Sequence, residues 1–250
     1  MAAPRAHGRV RALVGLGANV GAARLTLAAA IHALEALPGV SLAGVSRLYV
    51  TRPVGVVDQA EFHNAAVALD VPPGPDDETG AIALLAALKG IERAFGRQVR
   101  GRWGPRELDL DLLLFGTATL SVQRPPAGVS LDPGHRDRVL VVPHPEAADR
   151  LFVLAPLADL APDLVPPGWT ETVEAAHDRR LAAEGPDAVR AVAGWNGDGW
   201  ADLDGREHQD EPEHDGEREH QSERLQAWSQ ATGMPAPPRG VDDPDEARAD

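Results

Sequence analysis

From Arg9 to Phe115 the apolar residues switch repeatedly between a spacing of two and a spacing of three to four, and the order of those switches restricts the fold more than any other feature. RVRALVGLG (Arg9 to Gly17) reads as a strand running into a glycine turn. A helix is predicted from about Ala22, with Leu27, Ile31 and Leu34 on one face, and Pro38-Gly39 ends it. VSLAGVSRLYV (Val40 to Val50) and EFHNAAVALDV (Glu61 to Val71) are the second and third strands. PPGPDDETG is a loop whose Thr79 is placed to cap the next helix. That helix carries Leu84, Leu88, Ile91 and Phe95 along one stripe and stops at Gly96. LDLDLLLF (Leu108 to Phe115) is a fourth strand. The order β-α-β-β-α-β predicts an α+β fold, a ferredoxin-like sandwich.

Beyond that core the pattern loosens. Thr117 to Val139 is polar and proline-bearing and reads as a long loop. VVPHPEAADRLFVLAPLADLAPDL follows, with short elements broken by Pro143, Pro145, Pro156 and Pro162, and a last helix runs from about Thr170 to Ala183. The predicted division is one domain over residues 9–185 and an acidic, low-complexity, mostly disordered tail over 186–250. Charge supports it. Of the formal net charge of −14, Asp198 to Asp250 holds −11, from 16 acidic and 5 basic residues. That stretch is nearly empty of branched apolar residues and cannot bury enough surface to order itself. His208, His214 and His220 within it could form a loose metal-binding tract or simply be solvated low-complexity sequence.

The chain has no cysteine, which excludes a disulfide scaffold, a cysteine nucleophile and any thiolate metal site. No apolar run reaches the roughly 18 residues of a membrane helix, and the N-terminus has no apolar stretch long enough for a secretory signal. A cytoplasmic monomer is expected, with neither a nucleic-acid nor a membrane partner.

The densest chemistry lies in GRQVRGRWGPRELDLDLLLFG, Gly96 to Gly116. Asp109 and Asp111 are two apart in a strand, so both side chains leave the same face while Leu108, Leu110 and Leu112 enter the core. Two such carboxylates are either exposed edge acids or hard ligands for Mg²⁺. Arg97, Arg100, Arg102 and Arg106 lie just upstream on a glycine-punctuated loop. Since 23 of the 24 basic residues are arginine and Lys89 is the only lysine, the arginines alone could be compositional. Beside the acids they suit a polyphosphate, gripped by guanidinium forks and bridged by metal. Phe62 and Asn64 share a strand face, either as core and edge residues or as a stacking plate with an amide for a flat heterocycle. His144 is fixed between Pro143 and Pro145, with Arg150 and Phe152 close behind. Gly15-x-Gly17-x-x-x-Gly21 is one residue too long for a dinucleotide-binding turn, and tight-turn packing accounts for the glycines.

RWGPRELDLDLLLFG (Arg102 to Gly116) closely resembles the hallmark segment of the 6-hydroxymethyl-7,8-dihydropterin pyrophosphokinase family. LVGLGANVG, YVTRPVG, FHNAAVAL and VPHP…RLFVLAPLADLAPDL resemble the same family in the same order, from about Arg9 to Leu164. The resemblance implies a ferredoxin-like fold that binds MgATP and a pterin side by side and transfers pyrophosphate to the pterin's hydroxymethyl oxygen, releasing AMP. It implies that Asp109 and Asp111 hold two Mg²⁺ ions, that Phe62 and Phe152 sandwich the pterin ring, and that Asn64 bonds its edge. Thr51, Pro53 and Val54 would line that pocket. Arg106, His144 and Arg150 would contact ATP, with Lys89 and Glu92 meeting the nucleotide from the second helix. Arg97, Arg102 and Trp103 would belong to a loop that closes over both substrates.

Some positions depart from the family's pattern. Val99 stands where arginine is common, with Arg100 one position on; Arg52 replaces a proline and Ala18 a serine. The 117–139 loop is longer than usual. None of these changes touches the aspartates. Two other classes share parts of the pattern: a D-x-D sugar-nucleotide transferase, which would not need the arginine loop or the Phe62/Asn64 face, and a non-enzymatic family member acting through its acidic tail.

Overall fold

The computed structural model describes residues 8–51, 60–96, 106–129 and 139–203. Pro53 and Val54, the loop residues Arg97, Val99, Arg100, Arg102 and Trp103, and the acidic stretch from 204 onward lie outside the described residues. The elements are β1 (Val10–Ala18), α1 (Ala23–Glu35), β2 (Ser41–Val45), β3 (Leu48–Thr51), β4 (Phe62–Val71), α2 (Asp77–Ala94), β5 (Asp109–Phe115), β6 (Leu120–Val122), β7 (Leu140–Val142), α3 (Leu151–Leu160), α4 (Val173–Glu184), β8 (Val189–Trp195) and β9 (Trp200–Asp202). No helix among the described residues is long and apolar enough to cross a membrane.

The main sheet is antiparallel, in the order β5-β1-β4-β3-β8-β9, with β2 beside β3 along the same edge of β4. One face packs on α1 and α2 through Val14, Leu16, Leu27, Ile31, Leu88 and Leu110. The other packs on α3 and α4 through Leu13, Ala68, Leu113, Leu114, Leu157 and Val173. The predicted inward leucines hold: Leu108 and Leu110 are fully buried.

Several local expectations are corrected. The single strand predicted over Val40 to Val50 is two, because buried Ser46 interrupts it. Its N–H donates to Ala66 O at 2.9 Å and its Oγ accepts from Ala66 N at 2.9 Å, a side chain standing in for a ladder carbonyl. The α2 cap is Asp76, whose carboxylate accepts from Thr79 N at 2.7 Å; Thr79 supplies the donor and not the cap. The 117–139 stretch contains β6, paired with β7. Pro156 sits inside α3 without ending it.

The boundary at 185 also moves. β8 pairs with β3 and β9 with β8, so the sheet runs through Asp202. These strands are clasped over α1: Arg24 meets Asp202 at 2.7 Å and donates to Trp200 O at 2.7 Å, and His32 Nε2 lies 2.9 Å from Asp198 O. Trp195 and Trp200 meet edge to face at 5.1 Å. Composition hid this, because small residues dilute the tryptophans that anchor it.

In β5 the pairing with β1 slips by one residue, Leu13 opposing Leu114 and Val14 opposing Leu112, so Leu113 is a bulge. The bulge lets Leu113 and Leu114 both enter the α3–α4 side while Leu112 and Phe115 face α1 and α2.

Gly80, on α2, has no room for a side chain: a Cβ would lie 2.4 Å from Pro73 O and 2.8 Å from Phe115 Cζ. Alanine is the better helix former by about 1 kcal/mol, yet Gly80→Ala is expected to destabilise by about 2 kcal/mol through overpacking, read from the urea midpoint.

Candidate active site

The two aspartates stand on the sheet face opposite α1 and α2, as the strand alternation predicts. Asp109 is 26% exposed and Asp111 43%. β5 is the edge of the sheet, and in an antiparallel pair both backbone groups of every second residue point off that edge. At Leu110, between the aspartates, both are taken by α2. Leu110 N donates to Glu92 Oε1 at 2.7 Å, and Lys89 Nζ donates to Leu110 O at 2.7 Å. Lys89 and Glu92 bond each other at 2.6 Å, and Lys89 Nζ lies 3.8 Å from Asp111 Oδ1. Both side chains are buried, 3% and 1% exposed. Lys89 and Glu92, for which the resemblance implied nucleotide contacts, form a buried ion pair that grips the aspartate-bearing strand from behind.

The register sets what lies beside the acids on the same face. Asp109 pairs with Gly17 of β1, Gly17 with Asn64 of β4, and Asn64 with Tyr49 of β3. Asn64 Nδ2 donates to Thr51 Oγ1 at 2.9 Å and to Phe62 O at 3.3 Å, which draws three of the predicted heterocycle residues into one hydrogen-bonded group. Asn64 and Thr51 are buried.

A cationic side faces the acids. Arg106 reaches Asp109 at 3.2 Å. The bulge carbonyl of Leu113 accepts from His144 N at 2.9 Å, which brings the proline-flanked histidine to β5. The His144 imidazole is held below its ordinary pKa, first by burial, then by Arg150 and Arg124, with Asp111 and Asp109 opposing. Arg150 pairs with Glu146 and lies over the Phe152 ring at 5.6 Å. At its far end α3 is tied to β3: Asp159 accepts from Arg47 N at 2.9 Å, the Arg47 guanidinium at 2.5 Å and Tyr49 OH at 3.0 Å. Burial and Asp159 hold the Tyr49 phenol well above its usual range.

Two contributors were missed in the sequence. Asn19 exchanges two bonds with Arg106, N to O at 3.0 Å and Oδ1 from N at 2.7 Å, and its Nδ2 donates to Ala60 O at 3.2 Å. It thereby fixes the chain entering both β5 and β4; an asparagine where β1 leaves the sheet was the only signal. Arg124, from the stretch read as a loop, adds positive field at His144.

Asp109 and Asp111 supply hard oxygen donors, and no group of three or more His, Asp or Glu that could hold a metal occurs among the described residues. A cation here would take two carboxylates and complete its shell from water and ligand oxygens, the preference of Mg²⁺.

Two outcomes follow from this geometry. Lys89→Met, which strands a buried carboxylate, should cost about 3 kcal/mol in urea unfolding, while Lys89→Met/Glu92→Leu should recover part of that. His144 should titrate below about 6.5 by NMR in the ligand-free protein. Because the folded value is depressed, its contribution to stability is complete above about pH 6.5 and is lost as pH falls toward the folded value.

Residues 13–162 match the family model described as 7,8-dihydro-6-hydroxymethylpterin-pyrophosphokinase. A Pseudomonas aeruginosa protein named 2-amino-4-hydroxy-6-hydroxymethyldihydropteridine pyrophosphokinase is 44% identical over 154 residues, covering 62% of this chain and 82% of its own. A Methylorubrum extorquens protein of the same name is 40% identical over 182 residues, 73% of this chain and 98% of its own. Among solved structures, wild-type Plasmodium falciparum HPPK-DHPS superposes with a TM-score of 0.59 at 15% identity, over 81% of this chain. This chain spans about half of that one, 51% of its length. The fold, the paired aspartates and the extent of the match place this chain in the 7,8-dihydro-6-hydroxymethylpterin-pyrophosphokinase family.

Proposed function

We propose that the face joining Asp109 and Asp111 to the Asn64–Thr51–Phe62 group carries the reaction of the family. This chain transfers the pyrophosphoryl group of ATP to the hydroxymethyl group of 6-hydroxymethyl-7,8-dihydropterin in folate biosynthesis. The hydroxymethyl oxygen bonds to the β-phosphorus, the bond from that phosphorus to the α–β bridging oxygen breaks, AMP leaves with the electron pair, and the hydroxyl proton is released. The observation that carries the assignment of residues is the single row Asp109–Gly17–Asn64–Tyr49 across one sheet face, with His144 and Arg150 beside the acids.

Each residue's part follows from its surroundings. Asn64 and Thr51 would bind the pterin edge, Phe62 and Phe152 its faces, with Pro53 and Val54 in the adjoining segment. Arg106, His144 and Arg150 would bind the polyphosphate, joined on closure by Arg97, Arg102 and Trp103, which together exclude water. A neutral His144 offers that site one donor without competing for the acids. Asp109 and Asp111 would hold two Mg²⁺ ions, which when bound neutralise phosphate charge and strengthen the electrophile. Lys89 and Glu92 keep the two carboxylates at fixed height on β5. Positioning and charge do this work, with no protein nucleophile. The strand order supports a ferredoxin-like core extended by β8 and β9, so the catalytic unit would close at Asp202, with the acidic stretch beyond it dispensable for transfer.

The test is AMP release from ATP and Mg²⁺ with and without the pterin. Pterin-dependent AMP is expected from the whole chain and from a chain ending at Leu203. Asp111→Ala should lower kcat by at least about 1000-fold while the thermal midpoint holds. ADP as product, or full activity in Asp111→Ala, would overturn the assignment.

A further inference from the structure

Gly17 is a glycine that the described protein does not require. It lies inside β1, paired on both sides, and its φ is not in the left-handed range that favours glycine. Glycine within a strand weakens it and often marks a place where another molecule approaches the backbone. A Cβ built on Gly17 meets one atom within 4 Å among the described residues, Asn64 Oδ1 at 3.4 Å, an ordinary contact. The methyl group would fit. Gly15, two residues back on the same face, is different: its Cβ would meet three carbons of Leu113 at 3.4–3.6 Å, so the bulge side chain already roofs it.

The bare surface at Gly17 is flanked by two functional groups. Asp109 is its partner on one side and Asn64 on the other, about two strand spacings apart, ~10 Å. Both donors of the Asn64 amide are used within the protein, on Thr51 and Phe62, which leaves Oδ1 turned toward Gly17. A two-ring heterocycle with a one-carbon arm has the length to run from an acceptor at Asn64 to a cation at Asp109, and its path crosses the Cα of Gly17.

We infer that Gly17 is a specificity-determining residue for the pterin, its missing side chain being the floor over which the substrate's donor edge and hydroxymethyl arm lie. This rests on the proposed reaction. A methyl at this position would lift the substrate off the sheet, away from Asn64 Oδ1 and out of line with the acids. The strand itself would gain, since alanine restricts the unfolded chain more than glycine does.

Gly17→Ala therefore separates function from stability. Its thermal midpoint should equal or exceed that of the wild type, and its affinity for a fluorescent ATP analogue with Mg²⁺, without pterin, should stay within about two-fold. Its KM for 6-hydroxymethyl-7,8-dihydropterin should rise, or its kcat/KM fall, by about ten-fold or more, the scale of one mismatched methyl in a fitted pocket. Gly17→Ser should be worse, and Gly15→Ala, roofed by Leu113, should keep the wild-type KM. Wild-type kinetics in Gly17→Ala would overturn the inference. So would a fall in its midpoint of more than about 3 °C, or an equal loss of nucleotide and pterin affinity, either of which marks a packing glycine. Failure of the wild type to make pterin-dependent AMP would instead count against the proposed reaction; pterin binding to wild type and Gly17→Ala, followed by fluorescence, then decides the role of Gly17 directly.

Discussion

Both outward backbone groups of Leu110 are bonded by one turn of α2, through the buried pair Lys89 and Glu92. The position of the site depends on this clamp. β5 is an edge strand, and an edge strand carrying two carboxylates has reason to twist away and solvate them. Ordinary packing would not prevent it, because the leucines on its inner face tolerate small slides. Hydrogen bonds to a charged pair do not, since either partner left alone would be a buried, uncompensated charge. The clamp acts on the one residue between Asp109 and Asp111, so it sets both at once. The third Lys89 donor faces Asp111 at a distance of 3.8 Å, close enough to ease repulsion between the acids yet too long to occupy the carboxylate.

The bulge at Leu113 is the second device on the same strand. Without it, Leu114 would alternate back into the first core beside Leu110 and Leu112. With it, Leu113 and Leu114 enter the second core together, and the Leu113 carbonyl is released to hold His144. One inserted residue thus divides β5 into a polar half that carries the aspartates and an apolar half under α3 and α4. It also brings His144 to the strand, where the fields of Arg150 and Arg124 and those of Asp111 and Asp109 meet at its ring.

The parts of this arrangement that were legible in the sequence were those written in periodicity. Asp109 and Asp111 opposite Leu108, Leu110 and Leu112 is a period of two, and the stripe Leu84, Leu88, Ile91 and Phe95 is a helix period; both survive in the structure. Features that rest on single polar atoms were not legible. Ser46 splits a strand because its hydroxyl matches a ladder position, and Asp76 rather than Thr79 caps α2 because the cap depends on backbone angles at one residue. Asn19 joins Arg106 to Ala60 across gaps of more than 40 residues in sequence, which no local pattern can report. β9 falls within the stretch whose acidity reads as tail charge, yet Asp202 is the partner of Arg24 and Asp198 lends its carbonyl to His32. Charge counted along a chain does not distinguish a solvated acid from a paired one.

The glycines of β1 were read as turn residues, and the register shows why that was the wrong physical cause. A turn glycine is needed for its backbone angles; Gly15 and Gly17 have ordinary strand geometry and are needed, if at all, for what they leave out. At Gly15 the Leu113 side chain lies across the backbone, with three carbons 3.4–3.6 Å from where a Cβ would stand. Nothing among the described residues takes the corresponding space at Gly17. A sheet face that presents an amide on one strand, bare backbone on the next and a carboxylate on the third has its three functions separated by strand spacing. On the proposed reading these functions are ring recognition, passage of the arm and charge neutralisation, and they cannot be moved closer together without breaking the ladder. In that respect the hydrogen-bonded sheet is the ruler of the active site, and the clamp at Leu110 fixes where the ruler ends.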